Sequence, residues 1–348
     1  TTAPVAGGIL EDEPRIDFSD GCGHLLLEPS RTNLFAGSEY LTGWNLTIGV
    51  TPEYNYGISP EGVKNSVKLQ STTSAFNRIE EVLTLSAGVN YTFSLYIKNI
   101  DSTQSVVMGT SDLVLYDINW NGAEISSVTT GLNYKSVGNG WYRIWETSQS
   151  DTSSIYRIYP DRIGGSGAIE IYGLQLEQDA TYPTSYIPTY GVSQTRLDDS
   201  CLTTGIESLV TSQNGTMFAH INPSSIDDNF QFSLSDGLTS NRFTIRRLST
   251  NTEFIVVLGG SVQIRISTAN QPLTTDFKFA GTWTAGYSAF FINGVKIGDD
   301  QQFTLSGTIN RFGFDNGYNT SGSYGLIQQA LLFPTALTDS ECIALTTI

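Results

Sequence analysis

The sequence predicts an all-β protein: two antiparallel β-sandwich (jelly-roll) domains in series, with one short C-terminal helix. Three observations predict it. Runs of alternating apolar and polar residues recur at short, near-regular spacing. Glycine and Asn-Gly turns separate those runs. Charged residues make up only 15% of the 348, while Tyr and Phe count 17 each and Met only 2. Polarity therefore comes from hydroxyls and amides, which suit turns and exposed strand faces.

Residues 1–35 read as a lead-in. Gly7-Gly8 and Gly21-Cys22-Gly23 are turn signals, and Leu25-Leu26-Leu27 is strand-like. Such a segment pairs with its own domain or with a neighbouring subunit. Residues 36–188 form the first domain. Ser66–Gln70 alternates, and so does Tyr91–Lys98, where Tyr91, Phe93, Leu95 and Ile97 share one face. Trp141–Trp145 and Ala168–Leu176 repeat the pattern, with turns at Asn121-Gly122 and Gly138-Asn139-Gly140.

Residues 189–200 are the linker. Pro183 and Pro188 lead into it, and Arg196-Leu197-Asp198-Asp199 closes it; the prolines stiffen the approach. Residues 201–348 form the second domain. Its strands begin with Thr216–Ile221 and continue through Phe230–Leu234, Arg242–Arg246, Phe254–Leu258 and Val262–Ile266. Tyr287–Ile292 runs into Asn293-Gly294, a strong hairpin signal. The tail Leu337–Leu345 is the one convincing helix, with Thr338 or Asp339 as its N-cap.

The net charge of −16 argues against nucleic acid, which is bound by Lys and Arg on phosphates. No apolar run reaches the roughly 18 residues of a membrane helix, so no membrane insertion is expected. Cys22, Cys201 and Cys342 are an odd set. They allow one bridge, Cys201 to Cys342, or three unpaired thiols. Thr1 carries no signal-peptide pattern, and the chain is read as a mature product or a fragment of something longer.

Pro14-Arg15-Ile16-Asp17-Phe18 and Leu25-Leu26-Leu27-Glu28-Pro29-Ser30-Arg31-Thr32-Asn33-Leu34 resemble the opening of bacteriophage tail-fibre and virion-surface proteins. Ser38-Glu39 with Trp44, Gly138–Arg143, Ile171–Glu177 and Thr184–Thr189 resemble the carbohydrate-binding jelly rolls of phage fibres. Gly215–Phe218, Tyr287–Gly294 and Phe333–Thr338 resemble the laminin-G-like, concanavalin-type sandwiches that often follow. The resemblance implies a glycan-binding role and a location on a virion surface or otherwise outside the cell. It also implies a structural calcium between opening and closing strands. Tyr172-Gly173 stands where an acidic pair is expected for that ion, leaving Glu39 and Glu177 as candidate ligands. Fibres of this kind are often homotrimers, although no coiled-coil heptad is present.

Signals for catalysis are sparse. No Glu-x-Asp-x-x-Glu run pairs two carboxylates on one strand face. Glu11-Asp12-Glu13 reads as a solvated cluster, and Glu80-Glu81 point to opposite faces. No nucleophile elbow or Cys-His metal spacing occurs. A polysaccharide lyase would need His220, Tyr287 and the Arg242–Arg246 strand face to converge.

A sugar needs a flat aromatic platform and planar hydrogen-bonding partners. The best candidate is Tyr116-Asp117-Ile118-Asn119-Trp120-Asn121-Gly122, with Trp120 at a hairpin tip between two amides. The alternative is that Trp120 packs down onto the sheet. Tyr54-Asn55-Tyr56 is a second candidate, with Arg78 and Arg157 as partners. In the second domain Asp315-Asn316-Gly317-Tyr318-Asn319, with Tyr324, is the richest loop. Trp44, Trp141 and Trp145 fit the core. The sequence thus favours a non-catalytic module needing no cofactor. Its partners would be a polysaccharide or cell-surface glycan and other fibre subunits. Competing readings are a structural virion protein that binds no glycan and a polysaccharide lyase.

Overall fold

The structure is a computed structural model and describes residues 14–18, 21–72, 76–109, 114–150, 153–163, 165–209, 213–222, 230–270, 277–300, 307–318 and 322–348. It is all-β with one helix, in two compact units: residues 30–197, and residues 9–29 together with 198–348.

The lead-in contributes β1 (Ile16–Asp17) and β2 (His24–Leu27). The first unit then runs β3 (Arg31–Asn33), β4 (Asn45–Ile48), β5 (Val50–Tyr54), β6 (Val67–Ser71), β7 (Arg78–Thr84) and β8 (Asn90–Asn99). It continues with β9 (Gln104–Met108), β10 (Leu115–Asn121), β11 (Glu124–Val128), β12 (Asn133–Gly138) and β13 (Trp141–Gln149). It ends with β14 (Ser153–Tyr159), β15 (Ala168–Gln178) and β16 (Gln194–Arg196). One sheet has the order β11-β10-β9-β14-β7-β4. The other has β12-β13-β8-β15-β3-β16, with β5 and β6 added beside β15. All pairings are antiparallel.

Alternation sets the inner faces. Tyr91, Phe93, Leu95 and Ile97 of β8 are buried with Tyr142 and Ile144 of β13 and Ile169 and Ile171 of β15. Phe35, Phe93 and Tyr156 form an edge-on trio with ring centroids 5.1–5.7 Å apart, the offset geometry that aromatic quadrupoles prefer. Trp44 and Trp141 are buried and Trp145 is half-buried.

The second unit comprises β17 (Leu202–Thr204), β18 (Gly215–Asn222), β19 (Phe230–Ser235), β20 (Arg242–Arg247), β21 (Asn251–Leu258) and β22 (Ser261–Ala269). It goes on through β23 (Phe277–Thr284), β24 (Tyr287–Ile292), β25 (Val295–Asp300), β26 (Arg311–Gly313), β27 (Gly325–Phe333) and helix α1 (Asp339–Thr346). Its sheets have the orders β1-β2-β27-β18-β23-β24-β25 and β17-β26-β19-β20-β21-β22. Phe243 and Trp283 meet across them at 4.5 Å. Thr338 caps α1 in a reciprocal box with Glu341. Cys342 is a buried residue of that helix, and no disulfide joins it to Cys201.

The lead-in completes the second unit. Leu25 and Leu27 stand opposite Ile327 and Gly325 of β27, and Leu27 enters the second core. Leu25-Leu26-Leu27 is too apolar for solvent and finds a sheet edge to cover. The first unit is therefore an insertion whose ends meet: β3 pairs with β16, Arg31 opposite Arg196. Beyond that pair, Asp199 N–H donates to Glu28 O at 2.9 Å, and Arg15 binds both Glu28 and Asp199. Part of the expected linker, Gln194–Arg196, is thus a strand.

Candidate functional site

In the first unit four separate segments converge on one buried carboxylate, Glu39. Ser38-Glu39 follows β3. The loop after β5 brings Glu61 and Asn65. Tyr172 lies on β15, and Tyr186 and Tyr190 lie on the segment leading to β16. Ser38 anchors the opening segment to the closing one: its N–H donates to Thr189 Oγ1 at 3.0 Å, and Thr189 N–H donates back to Ser38 Oγ at 2.8 Å.

The Tyr186 hydroxyl donates to Glu39 Oε1 at 3.1 Å, and Tyr190 OH reaches the same oxygen at 3.4 Å. The Asn65 amide stands beside Glu39 and Glu61 beside the Tyr172 hydroxyl, in geometries that leave Glu39 Oε2, the Tyr172 hydroxyl and both polar atoms of the Asn65 amide buried without a well-formed hydrogen bond. Glu39, Tyr172 and Asn65 are 3%, 1% and 5% exposed. A buried polar atom left unsatisfied costs roughly 1–3 kcal/mol, so several together mark a place where something else supplies the bonds. Burial pushes the Glu39 carboxyl above its ordinary range, and Glu61 adds to the push. The Tyr172 phenol is also driven up, chiefly by burial.

Gly173 makes the floor possible. Its φ is +63°, and a Cβ there would lie 3.2 Å from ring carbons of both Tyr186 and Tyr96. The register of β15 against β8 shifts between Tyr172 and Gln175, and the chain bulges there. Tyr172 then packs edge-on against Tyr186 at 5.1 Å. The rim is aromatic: Tyr40, Tyr54 and Tyr190 are 44%, 37% and 45% exposed. The rings of Tyr40 and Tyr54 are 6.3 Å apart, tilted by 34°.

The residues expected to bind sugar fall in several places. Tyr54 is on this rim. Tyr56 is half-buried with Lys68 Nζ 5.2 Å over its ring. Trp120 corrects an expectation: it is not an exposed platform but 9% exposed. Its Nε1–H donates to Ser105 Oγ at 2.9 Å, and its ring meets Tyr142 edge-on at 6.2 Å. Strand alternation explains this, because Tyr116, Ile118 and Trp120 share the inner face of β10 and all three are buried. Asn121, at the hairpin turn, is the exposed residue. Asn119 faces outward and is held by Gln104 and Ser127. Arg78 on β7 and Arg157 on β14 lie on the outer face of the same six-stranded sheet, paired with Glu80.

In the second unit, Asp315 is not an open ligand but is buried against Arg311 and accepts Gly317 N–H at 2.7 Å. Asn316 is buried and accepts from Tyr318 N–H at 3.2 Å. Tyr318 is half-buried with Arg242 5.4 Å over its ring. Tyr324 is half-buried. Asn319 lies outside the described residues. This loop is a self-satisfied turn.

Glu177 accepts from both the N–H and the hydroxyl of Thr184. Among the described residues, no three His, Cys, Asp or Glu side chains gather as a metal site. The lyase constellation is not assembled. Arg242, Thr244 and Arg246 lie on the outer face of one sheet, since Phe243 and Ile245 fill the core. His220 and Tyr287 lie on the outer face of the opposite sheet, and Tyr287 donates to Asp339 at 2.5 Å.

Sequence reasoning did not single out Tyr40, Glu61, Asn65, Tyr172, Tyr186 and Tyr190 as candidate sugar contacts. A signal existed: Ser38-Glu39, Tyr172-Gly173 and Tyr186 lie in the stretches that carry the family resemblance.

No family model and no curated protein matches the chain. Similar solved structures include the Ruminococcus gnavus IT-sialidase CBM40 bound to α2,3-sialyllactose, at 14% identity and TM-score 0.34, covering 39% of this chain and 84% of that one. Domain 4 of the Geobacillus stearothermophilus arabinanase AbnA, in complex with arabinotriose, matches at 16% identity and TM-score 0.33, covering 45% and 73%. Sheep galectin-11 matches at 10% identity and TM-score 0.28, covering 40% and 100%.

Proposed function

We propose that the chain is a non-catalytic glycan-binding module and that the Glu39 cluster is its saccharide site. One observation carries this reading: Glu39 Oε2, the Asn65 amide and the Tyr172 hydroxyl are buried without well-formed hydrogen bonds next to a rim of exposed tyrosines. A sugar has the complementary shape. Its CH face stacks on Tyr40 and Tyr54, and once the tyrosine rim parts to uncover the buried Glu39 and Asn65 its hydroxyls donate to Glu39 and exchange hydrogen bonds with Asn65. Sites of this size bind weakly, and several copies on a fibre or virion surface raise avidity by ~100-fold or more. The resemblance of the opening and closing segments to phage fibres supports that setting. A glycan array probed with the intact chain tests the proposal. Binding to a defined set of glycans, lost in Tyr40→Ala with an unchanged melting temperature, is the expected result. An array with no signal favours a structural role among virion subunits.

A further inference from the structure

β12 is the end strand of its sheet, and all of its residues are exposed. Its register against β13 sets Asn133 opposite Trp145, Tyr134 opposite Ile144 and Lys135 opposite Arg143. Alternation divides these pairs between two faces. Ile144 is in the core, and Tyr134 meets the buried Tyr142 ring at 6.1 Å. Asn133, Lys135, Arg143 and Trp145 therefore form one block on the outer face.

Two cations stand directly across from one another in that block, in a chain with 34 acidic and 18 basic residues. Neither Lys135 nor Arg143 has an ion pair among the described residues. Lys98, on the next strand β8, has Glu170 at 3.7 Å. Like charges directly opposite on a sheet are destabilising, and a bound anion relieves them. Arg143 is anchored through one nitrogen: Nη2 donates to Thr184 O at 2.5 Å and to Ser94 Oγ at 3.3 Å. Its Nε is buried without a partner. The guanidinium is thus held in place by neutral oxygens, with no carboxylate to neutralise it. Beside it, Trp145 is half-buried and makes no hydrogen bond or ring contact among the described residues. The other tryptophans, Trp44, Trp120, Trp141 and Trp283, are all buried.

Each member of the block matches one part of an acidic sugar. The indole offers a flat apolar platform to a CH face. The Asn133 amide both donates to and accepts from hydroxyls. The guanidinium fork and the ammonium take an oxyanion. The same row leads to the Glu39 cluster, because Lys135, Arg143, Tyr96 and Tyr172 are successive cross-strand neighbours. Arg143 Cζ lies 5.3 Å from the Tyr96 ring centroid, and the rings of Tyr96 and Tyr172 are 6.0 Å apart.

We propose that Asn133, Lys135, Arg143 and Trp145 form a second saccharide subsite, which takes an acidic sugar with its oxyanion on Lys135 and Arg143 and its ring on Trp145. The inference rests on the glycan-binding reading and adds a subsite and a charge class to it. A uronate carboxylate and a sulfate ester present the same chemistry.

The test is a titration of the intact chain, followed through the indole Nε1–H signals in ¹⁵N–¹H spectra. The Trp145 signal is identified by its loss in Trp145→Phe. The probes are a galacturonate hexamer, its fully methyl-esterified form and a sulfated galactan hexamer. At least one anionic oligomer is expected to move the Trp145 signal while the buried tryptophans stay still, and the neutral ester to leave it unmoved. Which anion acts separates carboxylate from sulfate. Lys135→Gln, at an exposed position, should weaken binding about threefold, the size of one exposed charge pair. Lys135→Glu sets a carboxylate opposite Arg143. It should abolish the Trp145 shift and raise the melting temperature, since a like-charge pair becomes an opposite-charge one. Anionic oligomers that leave Trp145 unmoved, an ester that moves it equally, or a shift that survives Lys135→Glu overturns the inference. Neutral glycans from the array are run in parallel. If they bind in a Tyr40-dependent way while the acids do not, this inference alone falls. If they fail too, the glycan-binding reading falls with it.

Discussion

Tyr186 donates its hydroxyl to one oxygen of Glu39 at 3.1 Å, while the other oxygen of that carboxylate is buried and unmet. Half of the carboxylate is thus held by Tyr186 and half is left without a well-formed hydrogen bond. Burial raises its pKa, so acid neutralises it sooner than an ordinary glutamate. Saccharide hydroxyls bind the ionised form better. Glycan affinity should therefore fall on acidification, beginning at a higher pH than an ordinary glutamate would give, and Glu39→Gln should give a weaker but pH-independent affinity by calorimetry.

Glu81 carries a pH dependence of stability. It is buried on the inner face of β7 with Oε2 unpartnered, and burial raises its pKa from 4.5 to about 7. The folded state holds the proton more tightly than the unfolded chain. Its stabilising effect is complete below pH 4.5 and is lost as pH rises through 7. The loss approaches about 3 kcal/mol. Urea unfolding of Glu81→Gln should show most of that decline removed between pH 5 and 8; an unchanged decline would assign it elsewhere.

Trp120→Ala should cost about 3–5 kcal/mol, the usual range for emptying a buried aromatic site. Trp120→Phe should cost about 1–2 kcal/mol, because it leaves Ser105 Oγ short of one donor in the core. Denaturant unfolding measures both. A Trp120→Ala protein of unchanged stability would contradict the inward packing.

Asp315→Asn should destabilise the second unit by about 3–5 kcal/mol, since it leaves the buried Arg311 guanidinium without its counter-charge. Calorimetry should show the second unit melting earlier. The first unit's transition and its glycan binding should stay in place.

Strand patterns were legible because burial on one face writes a period of two into the sequence. β8, β13 and β24 appear where alternation places them, and the N-cap of α1 was readable as Thr338 or Asp339, of which the structure selects Thr338. Sheet membership was not legible. Leu25-Leu26-Leu27 looks like a strand, but only the three-dimensional edge of β27 says where it goes. Trp120 was misplaced by reading its nearness to Asn121-Gly122 as exposure, when parity with Tyr116 and Ile118 points it inward. The Glu39 cluster was hidden for a different reason. Its members are about 150 residues apart, from Glu39 to Tyr190, and each alone reads as an ordinary core or loop residue.

Ring resonances of tyrosine test the proposed saccharide site most directly. The intact chain, with its tyrosines labelled, would be titrated with the strongest glycan from the array. Tyr40, Tyr54 and Tyr190 should shift together at one affinity, with Tyr318 and Tyr324 unmoved. Binding that leaves those three rings silent would place the sugar elsewhere and leave the buried Glu39 as part of the core.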